Sequence, residues 1–118
     1  MAHVVLIDSV ANRRTQIAAH FEQVPGLSLT EASEGLWTVL MVRDKQPDIV
    51  LVSVDMDASH VSTLSGVLQG GTILAYTSNW SLLAEQKVVA EGANALLSDS
   101  DTRSSYLSAV VKALRPAA

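Results

Sequence analysis

Cysteine is absent from this chain, which removes disulfides and thiolate chemistry from its repertoire. Basic residues are scarce: 8 Lys and Arg against 12 Asp and Glu leave a net charge of −4. A nucleic-acid-binding surface would need a basic face instead. No apolar run approaches the ~18 residues of a membrane span. The start, Met1-Ala2-His3-Val4, enters an apolar strand at once and lacks a signal-peptide pattern. The lack of a span and of a signal peptide predicts a cytoplasmic protein without membrane contact, and the acidic balance predicts no direct nucleic-acid contact. Glycine is missing from Asp8-Ser9-Val10-Ala11-Asn12, where a flavin phosphate loop would want it, and neither a dinucleotide fingerprint nor a P-loop occurs. His3, His20 and His60 fall on different elements without ligand spacing, so no metal and no cofactor is expected.

What is present is enough apolar residue for one core. Hydrophobic residues make up 48% of 118 positions and charged ones 17%, the balance of a buried, globular single domain over residues 1–118. The stretch that organises it is Pro47-Asp48-Ile49-Val50-Leu51-Val52-Ser53-Val54-Asp55-Met56-Asp57. A short apolar run rich in β-branched residues suits a strand buried on both faces. In open α/β sheets ligands bind beyond the carboxyl ends of such strands, which places Ser53, Asp55 and Asp57 where chemistry is expected.

The rest of the chain alternates. Val4-Val5-Leu6-Ile7 reads as a strand ending at Asp8. Ser9 is the expected cap of a helix over 10–23 with Ile17, Ala18 and Phe21 on its core side. A second strand is expected over 27–32, with Leu27 and Leu29 on one face. Ser33 is the expected cap of a helix over 34–45, and the central strand follows at 48–53. A short or irregular helix is expected within 57–69, where Ser and Gly are poor helix formers. Gly70-Gly71 turns into a strand over 72–76. A helix over 81–91 stops at Gly92, and a short strand occupies 94–97. Asp101 is the expected cap of a last helix over 102–114, closed by Pro116. Strict β/α alternation predicts a parallel sheet with helices on both faces.

The central stretch resembles the third strand of a response-regulator receiver domain: Pro-Asp, four apolar residues, one position, two residues, then Met. The resemblance covers about residues 3 to 115. It implies a flavodoxin-like three-layer sandwich, a five-stranded sheet of order 2-1-3-4-5 with five helices. It also implies a phospho-acceptor aspartate at the position held here by Ser53. Of the metal-binding acid pair after strand one, Asp8 is present and Ser9 replaces the second. Thr77 matches the hydroxyl residue after strand four, with Ser78 the small residue beside it. The lysine position falls on Asp99, or on Ser98 with one deletion, and the mobile aromatic is replaced by Leu96.

An acyl phosphate needs a carboxylate nucleophile. Magnesium wants several oxygen ligands, and charge on the phosphoryl oxygens needs compensating cations. The chain keeps too few of these parts. The resemblance therefore implies a pseudo-receiver, not an enzyme, that works without phosphorylation through dimerisation or a partner signalling protein. A DNA-binding effector domain in the same regulator would lie outside these residues. Two alternatives stand beside this one. The first is phospho-acceptance by a displaced acid, Asp55. The second is a small-ligand site in the Asp8/Ser53/Thr77 pocket. If Asp8, Asp55 and Asp99 converge, their repulsion should raise carboxyl pKa values or recruit a cation. For the interface, the last helix is expected to bury Leu107, Val110, Val111 and Leu114 and to offer Tyr106, Ala109 and Ala113 to a partner. Trp80, Leu83 and Leu96 are expected nearby, with Trp37 on the second helix as the rival face.

Overall fold

The computed structural model describes residues 1–55 and 59–114, with Ser59 in its backbone only. Met56, Asp57 and Pro116 lie outside the described residues. Ten elements alternate: β1 Ala2–Ile7, α1 Ala11–Ala19, β2 Leu27–Ala32, α2 Leu36–Lys45, β3 Ile49–Ser53, α3 Ser59–Val67, β4 Thr72–Thr77, α4 Leu82–Ala90, β5 Ala95–Ser98 and α5 Arg103–Leu114. The strands form one parallel sheet in the order β2-β1-β3-β4-β5. This is the expected flavodoxin-like arrangement.

Strand alternation sorts the core into two layers. Val5, Ile7, Val50, Val52, Ile73 and Ala75 pack with Val42 of α2, Val61 and Leu64 of α3 and Val88 of α4. Val4, Leu6, Ile49, Leu51, Leu74 and Tyr76 pack with Ile17 and Phe21 on one side and Tyr106 and Val110 of α5 on the other. Period-two alternation makes both faces of a strand apolar when helices cover both. Every residue of β3 is accordingly buried. Ser53 follows Ile49 and Leu51 in that alternation, so its parity directs it toward the face covered by α1 and α5.

Several helix ends differ from expectation. Ser9 does not cap α1: the N-cap is Val10, without a side-chain cap, and Val10 N–H donates instead to Asp8 Oδ1 at 2.9 Å. The helix stops at Ala19, and Phe21 reaches the core from the turn that follows. Ser33 does not cap α2 either. Gly35 takes that place with φ 144°, and the Ser33 hydroxyl accepts from Arg14 at 3.3 Å. Thr102, not Asp101, caps α5, its Oγ1 accepting from Ser105 N–H at 3.2 Å. Asp101 accepts from Ser98 N–H at 2.9 Å. Ser81 does cap α4, its hydroxyl accepting from Ala84 N–H, and Gly92 follows the helix with φ 121°.

The expected faces of α5 hold only in part: Leu107 and Val110 face the core as expected, but Tyr106, Ala109 and Ala113 join them and Val111 and Leu114 do not. Tyr106 is 1% exposed and Val110 3%, and Ala109, Ala113 and Leu107 pack against the same core. Val111 and Leu114 face outward at 54% and 40%. The pattern 106, 109, 110, 113 is a clean helical stripe; its alanines let the helix approach the sheet, and Tyr106 O–H donates to Ser98 O at 2.8 Å in a part-buried bond. Leu96 is likewise core, 5% exposed. Neither Tyr106 nor Leu96 is a surface residue. Trp80 is 48% exposed, and its indole N–H donates to Leu96 O at 3.0 Å. Leu83 and Trp37 are exposed as expected, at 78% and 84%.

Candidate functional site at the carboxyl ends of the strands

Asp8 directly follows β1 and is fully buried, as is Ser53 at the end of β3. β3 and β4 run in register with Ser53 beside Tyr76, and Thr77 follows. Asp55 lies in the loop beyond β3. The ends of three neighbouring strands thus bring Asp8, Ser53, Asp55, Tyr76 and Thr77 together. Of Asp8, Asp55 and Asp99, the first two converge and the third does not.

What joins them is Arg13, a residue the sequence reading did not single out. From the first turn of α1, its Nε donates to Asp8 Oδ2 at 2.6 Å and its Nη2 to Asp8 Oδ1 at 2.9 Å. Its Nη2 also donates to Ser53 Oγ at 2.9 Å, and its Nη1 to Asp55 Oδ2. All three guanidinium nitrogens are engaged, in the fork geometry that suits carboxylates. Tyr76 O–H donates to Asp8 Oδ2 at 2.6 Å, and the guanidinium carbon stands 5.9 Å from the centre of its ring. Asp55 Oδ1 accepts from Thr77 Oγ1 at 2.6 Å and from Ser78 N–H at 2.9 Å. Arg14, the next residue, donates to Asp8 O at 2.9 Å and pairs with Glu31 at 3.3 Å.

These contacts decide the charges. Burial alone would raise the pKa of Asp8, but hydrogen bonds from Arg13, Tyr76 and Val10 outweigh it, and the carboxyl sits below its ordinary value. Burial likewise opposes ionisation of Asp55, and Thr77, Ser78 and Arg13 reverse the effect. The hydrogen bond to Asp8 raises Arg13 still further. Burial, then the bond to the Asp8 carboxylate, raises Tyr76 and keeps it protonated. The expectation of raised carboxyl pKa values is corrected: the recruited cation is the chain's own, so repulsion between the acids is relieved.

A magnesium ion, which the resemblance implies, does not fit these residues. Asp8 Oδ1 already accepts from Val10 and Arg13, and Oδ2 from Arg13 and Tyr76. That fills the roughly four acceptor positions of a carboxylate. Ser9 offers a hydroxyl and no charge. Among the described residues no group of three or more His, Cys, Asp or Glu could hold a metal. The Asp8/Ser53/Thr77 pocket expected for a small ligand is occupied by the Arg13 side chain, which is 15% exposed. Among the described residues Ser9 and Asp99 stand outside the network. Asp99 contributes a backbone N–H to Thr77 O at 2.9 Å, and the Ser98 hydroxyl pairs with Ser100 at 2.8 Å.

Solved structures match this architecture over nearly its whole length. The signal receiver domain of the response regulator NarL from Mycobacterium tuberculosis superimposes with a TM-score of 0.82 at 18% identity, covering 94% of each chain. A LuxR-family two-component response regulator from Aurantimonas sp. SI85-9A1 gives 0.84 at 17%, covering 95% of this chain and 84% of that one. The signal receiver domain of a DNA-binding response regulator from Colwellia psychrerythraea 34H gives 0.82 at 14%, covering 95% and 97%. The chain has the receiver-domain fold of two-component response regulators. No family model matches its sequence, and no curated protein matches it. On the receiver fold, Ser53 stands at the carboxyl end of the central strand and Arg13 reaches over it from the helix that follows β1.

No described helix is long and apolar enough to cross a membrane.

Proposed function

We propose that this chain is a pseudo-receiver: a regulatory domain that keeps the receiver fold, signals without phosphorylation, and acts by contact with a second copy or a partner signalling protein. The observation that carries this reading is the Arg13 guanidinium seated between Asp8, Asp55 and Ser53. It occupies the space a metal and phosphoryl group would share, beside a serine that cannot form an acyl phosphate. Control of transcription is part of the proposal, with the DNA contacts made by another domain. Its support is that one structural neighbour is described as a DNA-binding response regulator, and that this domain, at net charge −4, suits a regulatory role rather than the DNA contact.

Phospho-acceptance by Asp55 is disfavoured by the same geometry. Both its oxygens already accept hydrogen bonds, and a carboxylate held by donors is a weak nucleophile. The test is intact-mass measurement after incubation with acetyl phosphate and magnesium, on the parent chain and on Ser53→Asp. Both are expected to keep their unmodified mass and subunit number. A base-labile phosphoryl adduct on Asp55 in the parent chain would overturn the proposal.

A further inference from the structure

The end of β1 borders a second hollow, on the opposite face of the sheet from Arg13. Ile7 belongs to the α2/α3 core layer and lies at its base. Leu36 and Val39 of α2 and Leu64 of α3 line it, and its volume is about 230 Å³. Ile7 and Leu64 are each 2% exposed. Four polar side chains share the wall, the hydroxyls of Thr38 and Thr63 and the ionisable groups of Glu34 and His60. The Glu34 side chain is only 14% exposed, and its Oε2 lies 3.9 Å from His60 Nδ1, beyond hydrogen-bond length. A largely buried carboxylate with that loose a partner, set among apolar walls, leaves strong acceptor capacity facing the hollow. Concave apolar sites with a few convergent polar groups are where small molecules bind. This one falls below the ~300–1,000 Å³ of drug-sized sites, so its guest is small.

We propose that the α2/α3 hollow binds a small organic cation with an apolar body, an arylalkylammonium or alkylammonium compound. The ammonium pairs with Glu34, and the body lies against Ile7, Val39 and Leu64. Charge selects the guest: an anion of the same size would meet the carboxylate, and a neutral apolar molecule would strip its solvent without replacing it. The ligand position of the pseudo-receiver thereby moves from the pocket that Arg13 fills to the other side of β1.

The test is isothermal titration with 2-phenylethylammonium, with phenylacetate as the size-matched anion. Saturable binding of the ammonium alone is expected. Glu34→Gln should weaken it about tenfold, the loss of one charge-assisted pair. Val39→Phe, which narrows the hollow, should abolish it while thermal melting reports an intact fold. If Val39→Phe does not fold, Glu34→Gln alone decides. No saturable binding, equal binding of phenylacetate, or unchanged affinity in Glu34→Gln would overturn the proposal. So would a parent dimer that Trp37→Glu dissociates, since Trp37 follows Leu36 of the hollow's wall and a second copy would then be its occupant.

Discussion

Arg13 was not legible in the sequence because a cation on an amphipathic helix reads as solvated surface. One signal was available. Arg13 and Arg14 sit in the first turn of α1, where the helix dipole favours acids, and the first turn contains no acid. Cations placed against the dipole imply carboxylates from elsewhere, and Asp8 and Asp55 supply them. Arg13→Met should cost about 3–5 kcal/mol, because it leaves the Asp8 charge buried and uncompensated. Arg13→Lys should recover only part, since an ammonium cannot fork across two oxygens. The double variant Asp8→Asn/Arg13→Met should lose less than Arg13→Met alone. Urea unfolding at neutral pH measures all three, and a double variant that loses more than the single would show packing, not charge, to be at stake. The acid behaviour should also invert. Asp8 and Asp55 titrate below their ordinary values, so the parent holds their contribution above about pH 4 and loses it as pH falls through the lowered values. In Arg13→Met only Tyr76 and Val10 still oppose burial at Asp8, so its pKa should rise, and if it rises above the unfolded value, stability should increase as pH falls through the raised value toward about pH 4.

At the scale of elements, strands were easier to read than helix ends. A run such as Ile49 to Val52 is apolar whichever face it presents, so register errors do not hide it. A cap depends on one hydroxyl and one backbone angle. Ser81 satisfied both; Ser9 and Ser33 had the hydroxyl, but the chain entered the helices through Val10 and Gly35. Ser81→Ala should cost about 1 kcal/mol. Gly92 makes a stronger demand. It holds φ 121°, and an added Cβ would lie 2.5 Å from Ser65 Oγ and 2.7 Å from its Cβ. Gly92→Ala should therefore destabilise by about 1–3 kcal/mol. Adding Ser65→Gly should recover the packing part and leave the backbone strain. Thermal melting of the two variants separates these contributions, and full recovery would mean the φ value carries no cost.

For the whole molecule, β/α alternation and the receiver-like frame around Ser53 were enough to anticipate the sheet order. The outer face was harder to anticipate, because α5 carries apolar residues all round and its small alanines, not Val111 and Leu114, turned out to face the sheet. That reversal changes what a variant reports. Tyr106→Glu should unfold the domain rather than dissociate it, since the ring contacts Phe21 and Tyr76 in the core and stacks on the half-buried His20. Among the exposed apolar positions, Trp80, Leu82 and Leu83 at the start of α4, at 48%, 61% and 78%, form the patch proposed for a homodimer, with Leu36 and Trp37 as the rival patch. Analytical ultracentrifugation should find a parent dimer that Leu83→Glu converts to monomer and Trp37→Glu does not. A parent chain that is monomeric at every concentration would remove dimerisation from the proposed function.

The Arg13 contact has a consequence for supply. A counter-ion joined to the chain by covalent bonds has an effective concentration fixed by geometry. Dialysis cannot dilute it, and a chelator has nothing to extract. The melting temperature should be the same in EDTA as in millimolar magnesium. On the proposed reading, the pocket that Arg13 fills is not loaded by metal ions from the surroundings.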